Sequence, residues 1–448
     1  MSPNKNVSTA LDSARRKAYR RLIPLLFLSY VIAYVDRQNV AVAKLTMVKD
    51  LPGFDNAVIG FGAGIFFLGY FLLEIPGTLM VERWSARKWI SRIMITWGIM
   101  AGLTAAVSTP TQFYVVRFLL GLAEAGFFPG VIVYLTHWFP SRDRAKALSY
   151  FLIATPFAQV LSPKISNALL KIGTTEVVNG QNLVHPPVFG MVGWQWVYVF
   201  WAIPAVIMGG IVLFMLTDKP SQANWLTPEE KQALEAKLAE ERAQSSRGKR
   251  MTVSEALKHP KVLLMALAYF CTVTGSYGVE FFMPSILRDW YQLSMDDLTW
   301  LIMLPPLMAV GGQLLAGWSS DRFNERRFHA TLPIIVGASA LGLMPLTQGN
   351  LILTVTLFML AFAGFKAYMP AFWSLPNLFL TESAAAGSIG LINSVGNLGG
   401  YLGPSLMGKV ETMTGSYAGG LYYLCGSMLV ASVIVFKLGL GVNRSPDR

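Results

Sequence analysis

Residues 22–43 read LIPLLFLSYVIAYVDRQNVAVA, an apolar run with an acid and an arginine side by side in its second half. A helix needs about 20 predominantly apolar residues to cross a lipid bilayer, and this run has that length. Eleven runs of the same character follow it, at 57–80, 88–108, 112–136, 145–171, 194–216, 261–288, 297–318, 329–348, 351–376, 384–409 and 418–438. The pattern predicts an all-α membrane protein with twelve transmembrane helices.

The composition of the whole chain agrees with this prediction. Of its 448 residues, 53% are hydrophobic and 14% are charged, and the mean hydropathy is +0.47. Soluble domains carry about 25% charged residues, so the composition excludes a soluble globular protein, and the apolar fraction excludes a disordered chain. Two cysteines in a chain of this length exclude a disulfide scaffold.

The net charge of +12 raises the question of nucleic-acid binding. Most of the lysines and arginines, however, lie on the two tails and on every second loop between the apolar runs. This bias follows the positive-inside rule, which places both termini in the cytoplasm. We therefore expect a lipid bilayer around the chain and no nucleic-acid partner.

One long polar segment divides the twelve runs into six and six. Within it, Thr227, Pro228 and Glu230 form the capping-box pattern that begins a helix. Because this helix is too polar to span a bilayer, we expect it on the cytoplasmic surface. The predicted segments are a cytoplasmic tail at 1–21, a six-helix half at 22–216, a linker with an amphipathic helix at 217–260, a second six-helix half at 261–438 and a cytoplasmic tail at 439–448.

Two loops at corresponding positions in the two halves share one charge pattern. Residues 82–88 read ERWSARK and residues 321–327 read DRFNERR, so that an acid and an arginine precede a basic pair in each. Duplicated half-domains of this kind are typical of transporter folds. The candidate gating residues are Glu82, Arg83, Arg87, Asp321, Arg322 and Arg326.

Five further motifs accompany the first run and the two loops. They are FFLGYFLLEIPG at 66–77, RFLLGLAEAGFFPG at 117–130, WFPSRDRAKA at 138–147, DKPSQANWLTPEEK at 218–231 and AAAGSIGLINSVGNLGGYLGP at 384–404. Together they resemble the major facilitator superfamily and, within it, the anion:cation symporter family of bacterial organic-acid permeases. One departure is that Glu82 and Ser85 stand where the superfamily signature usually has Asp and Gly.

The resemblance implies a major facilitator fold, with twelve helices in two pseudo-symmetric halves, in the inner membrane of a bacterium. It implies a proton symporter that imports a small organic anion, a hydroxy acid or dicarboxylate such as tartrate, by alternating access. Sugar acids such as galactonate, aromatic acids such as hydroxyphenylacetate or phthalate, and anion antiport are the alternatives. We expect a monomer without a cofactor or a metal.

Charged residues at membrane depth are functional candidates, because each costs at least about 2.5 kcal/mol on insertion scales. Asp36 and Arg37 lie in the first run, and Arg117 and Glu124 lie two turns apart on one face of the fourth. A buried carboxylate close to an arginine can load and release a proton near neutral pH. The resemblance adds that Asp36 and Glu124 are protonation sites and that Arg37 binds the substrate carboxylate. The alternative interpretation of each pair is a structural ion pair.

The second half offers one cation for an anionic substrate. Lys366 lies in the tenth run, and Trp373 shares its helical stripe. Lys366 either contacts the substrate or pairs with Glu280 of the seventh run, since unpaired charges at membrane depth are costly.

Uncharged polar residues complete the predicted site. Asn393 and Asn397 either hydrogen-bond a small polar ligand or join neighbouring helices. Glu74, near the end of the second run, is interpreted as holding the nearby loops. The predicted proton-coupling residues are Asp36, Glu124 and Arg117, and the predicted substrate-binding residues are Arg37, Tyr34, Tyr70, Gln159, Lys366, Trp373, Asn393 and Asn397.

Other classes of function fit the sequence less well. Four histidines are scattered without metal-ligand spacing, and the sequence has neither a nucleophile elbow nor a phosphate-binding glycine loop, so we expect no enzyme. An ATP-driven pump would need a nucleotide-binding domain, for which the polar segment is too short. Paired charges on opposed halves favour alternating access over the continuous pore of a channel.

Overall fold

The structure is a computed structural model that describes residues 3–178, 181–245, 255, 258–323, 325–378 and 382–438. The first half of the chain crosses back and forth in α1 (Pro3–Asp50), α2 (Asn56–Arg83), α3 (Ala86–Leu103), α4 (Pro110–Glu124), α5 (Phe127–Trp138), α6 (Ser141–Leu152), α7 (Ala154–Leu170) and α8 (Gly193–Met215). The side chains of Asp55, Ser85 and Thr109 accept hydrogen bonds from the first turns of α2, α3 and α4. These polar caps satisfy backbone N–H groups that a helix start leaves without partners.

The linker helix and the second half follow. They comprise α9 (Pro228–Ser245), α10 (Pro260–Tyr291), α11 (Met295–Phe323), α12 (Arg327–Leu343), α13 (Leu351–Ala367), α14 (Met369–Ser374), α15 (Glu382–Asn397), α16 (Gly399–Thr414) and α17 (Ala418–Lys437). Short 3₁₀ turns lie at Thr104–Ala106, Pro220–Gln222, Met344–Thr347 and Leu375–Leu378.

Ten helical stretches in the described part of the chain are long and apolar enough to cross a membrane. The fifth and eleventh predicted spans are not among them; each consists of two shorter helices, α6 with α7 and α15 with α16. Each pair is together long enough to cross, since about 20 helical residues suffice. The fold is therefore an all-α membrane protein with twelve transmembrane spans in two six-helix halves.

The N-terminal end of α1 differs from the prediction. A tail was expected to residue 21, but α1 begins at Pro3 and runs without a break into the first span. Arg15 of this extension pairs with Asp143 of α6, and Lys17 pairs with Glu230 of α9 at 2.8 Å. The extension is polar and its helix is stabilised by these distant contacts, so the local apolar pattern did not reveal it.

The capping box at the start of α9 is confirmed. The backbone N–H of Thr227 donates to Glu230 Oε2 at 2.9 Å, and the backbone N–H of Glu230 donates to Thr227 Oγ1 at 3.3 Å. Ser13 of α1 also donates to Glu230 at 2.6 Å. The predicted division of the chain into five segments stays a prediction, but the linker helix is attached to α1.

A short hairpin in the connection between α7 and α8 was not predicted. Its strands β1 (Thr175–Val178) and β2 (Gln181–Val184) are antiparallel, with Thr175 opposite Val184. An even number of spans places the start of α1, the linker helix α9 and the end of α17 on one side of the membrane, which we call the terminal face. The hairpin lies on the other side of the membrane, which we call the opposite face.

The two halves pack closely along α2 and α16. A Cβ atom at Gly60 of α2 would overlap the carbonyl oxygen of Pro404, and one at Gly64 would overlap Ser405. Gly400 of α16 in turn meets the ring of Phe67. Small residues let helices in a membrane approach closely, so these glycines hold the two halves in contact.

Candidate substrate and proton site

The site begins at a break in the fourth span. Helix α4 ends at Glu124, and Gly126 adopts a left-handed conformation, φ +83°, before α5 begins. This conformation suits glycine, because it has no Cβ atom to clash with the backbone. Glu124 is the last residue of α4, and its side chain contacts α1.

Arg37 of α1 and Glu124 form a buried ion pair. Arg37 Nε donates to Glu124 Oε1 at 2.6 Å, and Arg37 Nη2 lies 2.6 Å from the same oxygen. Only 11% of the Arg37 side chain and 1% of the Glu124 side chain are exposed. The guanidinium also lies over the ring of Tyr70, 5.0 Å from its centre. The pair joins the first and fourth spans, and Tyr70 lies beside it.

Asp36, the neighbour of Arg37 in sequence, contacts a different set of residues. Its carboxylate accepts hydrogen bonds from the indole of Trp97 and from Asn39 Nδ2, the latter at 3.0 Å. Adjacent residues on a helix differ by about 100° in direction, which explains the separation. Sequence reasoning missed Trp97 and Asn39, because neither carries a charge.

Arg117 is fully buried and lies apart from the ion pair. Its Nε donates to the carbonyl oxygen of Gly62 at 3.3 Å, and its guanidinium lies 5.0 Å from the centre of the Phe66 ring. Its two terminal nitrogens have no hydrogen-bond partner among the described residues. The alternative interpretation was a structural ion pair between Arg117 and Glu124. This ion pair is absent from the described residues, because Glu124 pairs with Arg37 instead.

Glu280 of α10 connects the second half to the first. Its carboxylate accepts hydrogen bonds at 3.3 Å from the hydroxyl of Tyr34 and from Gln38 Nε2, both on α1. Gln159 of α7 donates to the Tyr34 hydroxyl at 3.2 Å. On the other side, Lys366 Nζ lies 3.8 Å from Glu280 Oε1. The structure thus pairs Lys366 with Glu280, and both face the predicted residues of the first half.

A small cavity of about 40 Å³ borders this cluster. Gln38, Gln159 and Glu280 line it together with apolar side chains of α10, α11 and α13. Polar groups that converge on a space between helices are typical of ligand sites in helical bundles. Sequence reasoning missed Gln38, which lies next to Arg37 and could have been found by that position.

The remaining residues that the sequence predicted as functional lie toward the terminal face. Asn393 Nδ2 donates to Glu74 Oε1 at 2.9 Å, and Asn397 also interacts with that carboxylate. The interpretation that Glu74 holds nearby loops was therefore incomplete, since it binds α15 of the other half. Trp373 packs against the ring of Tyr269, with 4.9 Å between ring centres. These residues join helices in this structure.

The repeated loops hold helix ends together. Ser85 Oγ and the backbone N–H of Arg87 both donate to Asp218, each at 2.8 Å. Arg326 Nη1 donates to Ser320 at 2.8 Å, and Arg322 lies over the ring of Trp318. The side chains of the other predicted gating residues are outside the described part: Glu82, Arg83 and Asp321. Ser85, which departs from the superfamily signature, caps α3 and binds the start of the linker.

At the opposite face, contacts between three pairs of helices close the gap between the halves. Asn167 and Lys171 of α7 donate to Asp296 of α11, at 2.8 and 3.0 Å. Arg288 of α10 donates to a backbone carbonyl of α1 at 2.8 Å. The backbone N–H of Ala57 donates to Thr412 of α16 at 3.0 Å. These contacts join the two halves at the opposite face.

Two helical halves with buried charges between them define a membrane carrier. The family model of the major facilitator superfamily matches residues 26–404, and the chain therefore belongs to this superfamily of transporters and is not an enzyme. A "Putative tartrate transporter" of Agrobacterium vitis is 41% identical, with 94% of each chain covered. A "Putative metabolite transport protein NicT" of Pseudomonas putida is 39% identical, with 93% of this chain and 92% of that one covered.

The inward open conformation of the xylose transporter XylE from E. coli shares the fold. The TM-score is 0.72 at 13% identity, with 95% of this chain and 98% of that one covered. The predicted major facilitator fold is confirmed by these comparisons. The roles of the individual site residues stay predictions.

Proposed function

We propose that the protein is a proton-coupled symporter that imports a small organic anion, a hydroxy acid or dicarboxylate such as tartrate. The observation that carries this proposal is the buried pair of Arg37 and Glu124 between two spans. A buried carboxylate that holds an arginine can be neutralised by a proton, and the arginine is then free to bind another carboxylate. The name of the Agrobacterium vitis relative, "Putative tartrate transporter", supports an organic acid as the substrate.

The proposed cycle follows from the two ion pairs, in which Glu124 binds Arg37 and Glu280 binds Lys366. Protonation of Glu124 releases Arg37, and the substrate carboxylate takes the place of Glu124. Lys366 leaves Glu280 to bind the far end of the anion, beside Tyr34 and Gln159. The two halves then rock about the central cluster, as in other carriers built from repeats.

Asp36 has a distinct part in this proposal. Because its carboxylate is held by Trp97 and Asn39, its protonation does not free Arg37 directly. Proton uptake at Asp36 instead changes how α1 is bound to α3, which carries Trp97. The release of Arg37 is therefore assigned to Glu124 alone.

The membrane and its orientation complete the proposal. The positive-inside bias assigns the terminal face to the cytoplasm and, with the resemblance to bacterial permeases, the protein to the inner membrane. We propose that it acts as a monomer, because each chain contains both halves of the site.

The test uses purified protein in liposomes that enclose a pH-sensitive dye. A panel of organic acids, including tartrate, galactonate and hydroxyphenylacetate, is added under an imposed voltage. Protein-dependent acidification of the lumen by a subset of acids is the expected result. Protein-free liposomes and the Asp36→Asn variant are the controls, and neither should acidify. Exchange of labelled acids without proton movement would instead establish an antiporter and remove the proton roles of Asp36 and Glu124.

A further inference from the structure

Lys44 is a buried cation that the proposed cycle does not use. It lies in α1 just beyond the predicted end of the first span, and only 3% of it is exposed. Lysines near the ends of membrane helices usually extend to water. Lys44 Nζ instead lies 3.5 Å from the centre of the Phe282 ring of α10, with no hydrogen-bond acceptor within reach among the described residues. A buried ammonium without a hydrogen-bond acceptor is costly, so the position favours a bound anion.

Lys44 lines a cavity of about 270 Å³ at the opposite face. The cavity lies between the end of α1, the start of α2 and the end of α10, and thus between the two halves. Its volume is slightly below the roughly 300–1,000 Å³ of sites for drug-sized ligands, which suits a smaller molecule. Asn56 and Ser285 add neutral hydrogen-bonding groups to its lining.

The charges around the cavity favour an anion. Lys49 and Arg288 line it together with Lys44, whereas Asp289 is its one lining carboxylate. Asp289 already accepts a hydrogen bond at 2.6 Å from the hydroxyl of Tyr417. Glu411 of α16 is the other acid that attracts Lys44, and it does not line the cavity. The lining therefore keeps a net positive charge.

The position of Lys44 on α1 connects this cavity to the central site. Arg37 and Lys44 are seven residues apart, so they lie on the same face of the helix and about 10 Å apart along it. Both face α10, because Lys44 contacts Phe282 and Arg37 hydrogen-bonds Tyr277. An anion that moves along this face would meet one cation after the other.

We propose that the cavity at Lys44 is a second anion-binding site, which holds a small carboxylate at the opposite face before it reaches Arg37. That the bound carboxylate is the transported substrate rests on the proposed function. Lys44 supplies the buried positive charge, and Lys49 and the neutral groups bind the rest of the anion. Arg288 keeps α10 joined to α1 beside the site through its bond to the carbonyl of Leu45.

The test measures equilibrium binding of radiolabelled tartrate to the full-length protein in nanodiscs. We expect two tartrates per wild-type chain, one per chain for Lys44→Met and one for Arg37→Ala. Lys44→Arg keeps the positive charge and should keep two. Lys409→Met removes an exposed lysine of α16 and is the matched control, with two tartrates expected.

The outcomes separate this site from the proposed function. If Lys44→Met binds as many tartrates as the wild type with the same affinity, the second site is wrong whatever Arg37→Ala does. If Arg37→Ala keeps the wild-type number while Lys44→Met loses one, the central site is wrong and the second site stands. If the wild type binds no tartrate, the second carboxylate site is overturned, and the uptake panel decides the function separately.

Folding of the variant is checked by its melting temperature in buffer without organic acids. Because Lys44→Met removes a buried charge that has no hydrogen-bond partner among the described residues, it should melt no lower than the wild type. Melting several degrees lower would mean that Lys44 serves the packing of α1 and α10, and the assignment of an anion site would then be withdrawn.

Discussion

The first and second halves each place an ion pair between their first and fourth spans, but with the charges exchanged. In the first half the cation, Arg37, lies on the first span and the acid, Glu124, on the fourth. In the second half the acid, Glu280, lies on the first span and the cation, Lys366, on the fourth. A duplicated scaffold thus presents opposite charges at equivalent places, and Glu280 is bound to α1, the helix that carries Arg37, through Tyr34 and Gln38.

The two pairs also differ in how tightly they are held. Arg37 and Glu124 are 2.6 Å apart and nearly inaccessible, whereas Lys366 and Glu280 are 3.8 Å apart and 26% of the Lys366 side chain is exposed. A tight buried pair separates only when one charge is neutralised, since an unpaired buried charge is costly. A loose, partly exposed pair opens at lower cost. This difference supports the proposal that the first half couples the proton and that the second half holds the far end of the substrate.

The largest effect is expected from removing the arginine of the tight pair. Arg37→Ala should lower organic-acid binding roughly 30-fold to 4,000-fold, because truncating one partner of a buried charge pair costs about 2–5 kcal/mol. Equilibrium binding of tartrate in nanodiscs measures this. Lys409→Ala on the membrane surface is the control, and wild-type affinity in Arg37→Ala would remove Arg37 from the site.

Equivalent changes to the two acids should separate the roles of the halves. Glu124→Gln should abolish proton-driven uptake, since Gln cannot exchange a proton, yet leave counterflow of labelled substrate. Glu280→Gln should retain proton-driven uptake in the same liposomes. The comparison between the halves fails if Glu124→Gln accumulates substrate uphill or if both variants lose proton coupling.

Removal of the loosely held cation should give a smaller effect. Lys366→Met should raise the KM for uptake about tenfold, which corresponds to about 1.4 kcal/mol, with little change in melting temperature. Combining it with Glu280→Gln tests the pair, because the two changes should then be less than additive. An unchanged KM in Lys366→Met would mean that Lys366 serves only to neutralise Glu280.

The smallest effect concerns the linker, which is attached to the first half through Lys17 and Ser13. Burial raises the pKa of Glu230, but the hydrogen bonds from these two residues outweigh it and hold the pKa below its usual value. A carboxyl group whose pKa is lowered by folding stabilises the fold at pH values above its usual pKa. This stabilisation is lost as the pH falls through the lowered pKa.

Glu230→Gln should therefore cost up to about 1 kcal/mol at pH 7 and progressively less below about pH 4. The measurement is the difference in melting temperature between the wild type and Glu230→Gln across this range. Glu235→Gln, on an exposed position of the same helix, is the control and should show no such change. A difference that persists at pH 3 would assign the effect to packing.

Sequence reasoning found the buried charges of both halves but not all their partners. Asp36, Arg37, Arg117 and Glu124 are conspicuous because charges are rare in apolar runs. Lys44 was missed because a lysine one residue past a predicted span is ordinarily taken to reach water. Its burial depends on the packing of α10 against α1, which no local pattern reveals.

The apolar runs, the six-plus-six division and the repeated loops are determined by the sequence alone, because a bilayer requires about 20 apolar residues for each crossing. Only the tertiary structure decided which charges meet. Glu124 shares a helix face with Arg117 yet pairs with Arg37 of another helix, α1. Contacts between helices depend on their rotation and depth relative to each other, and these are properties of the packed assembly.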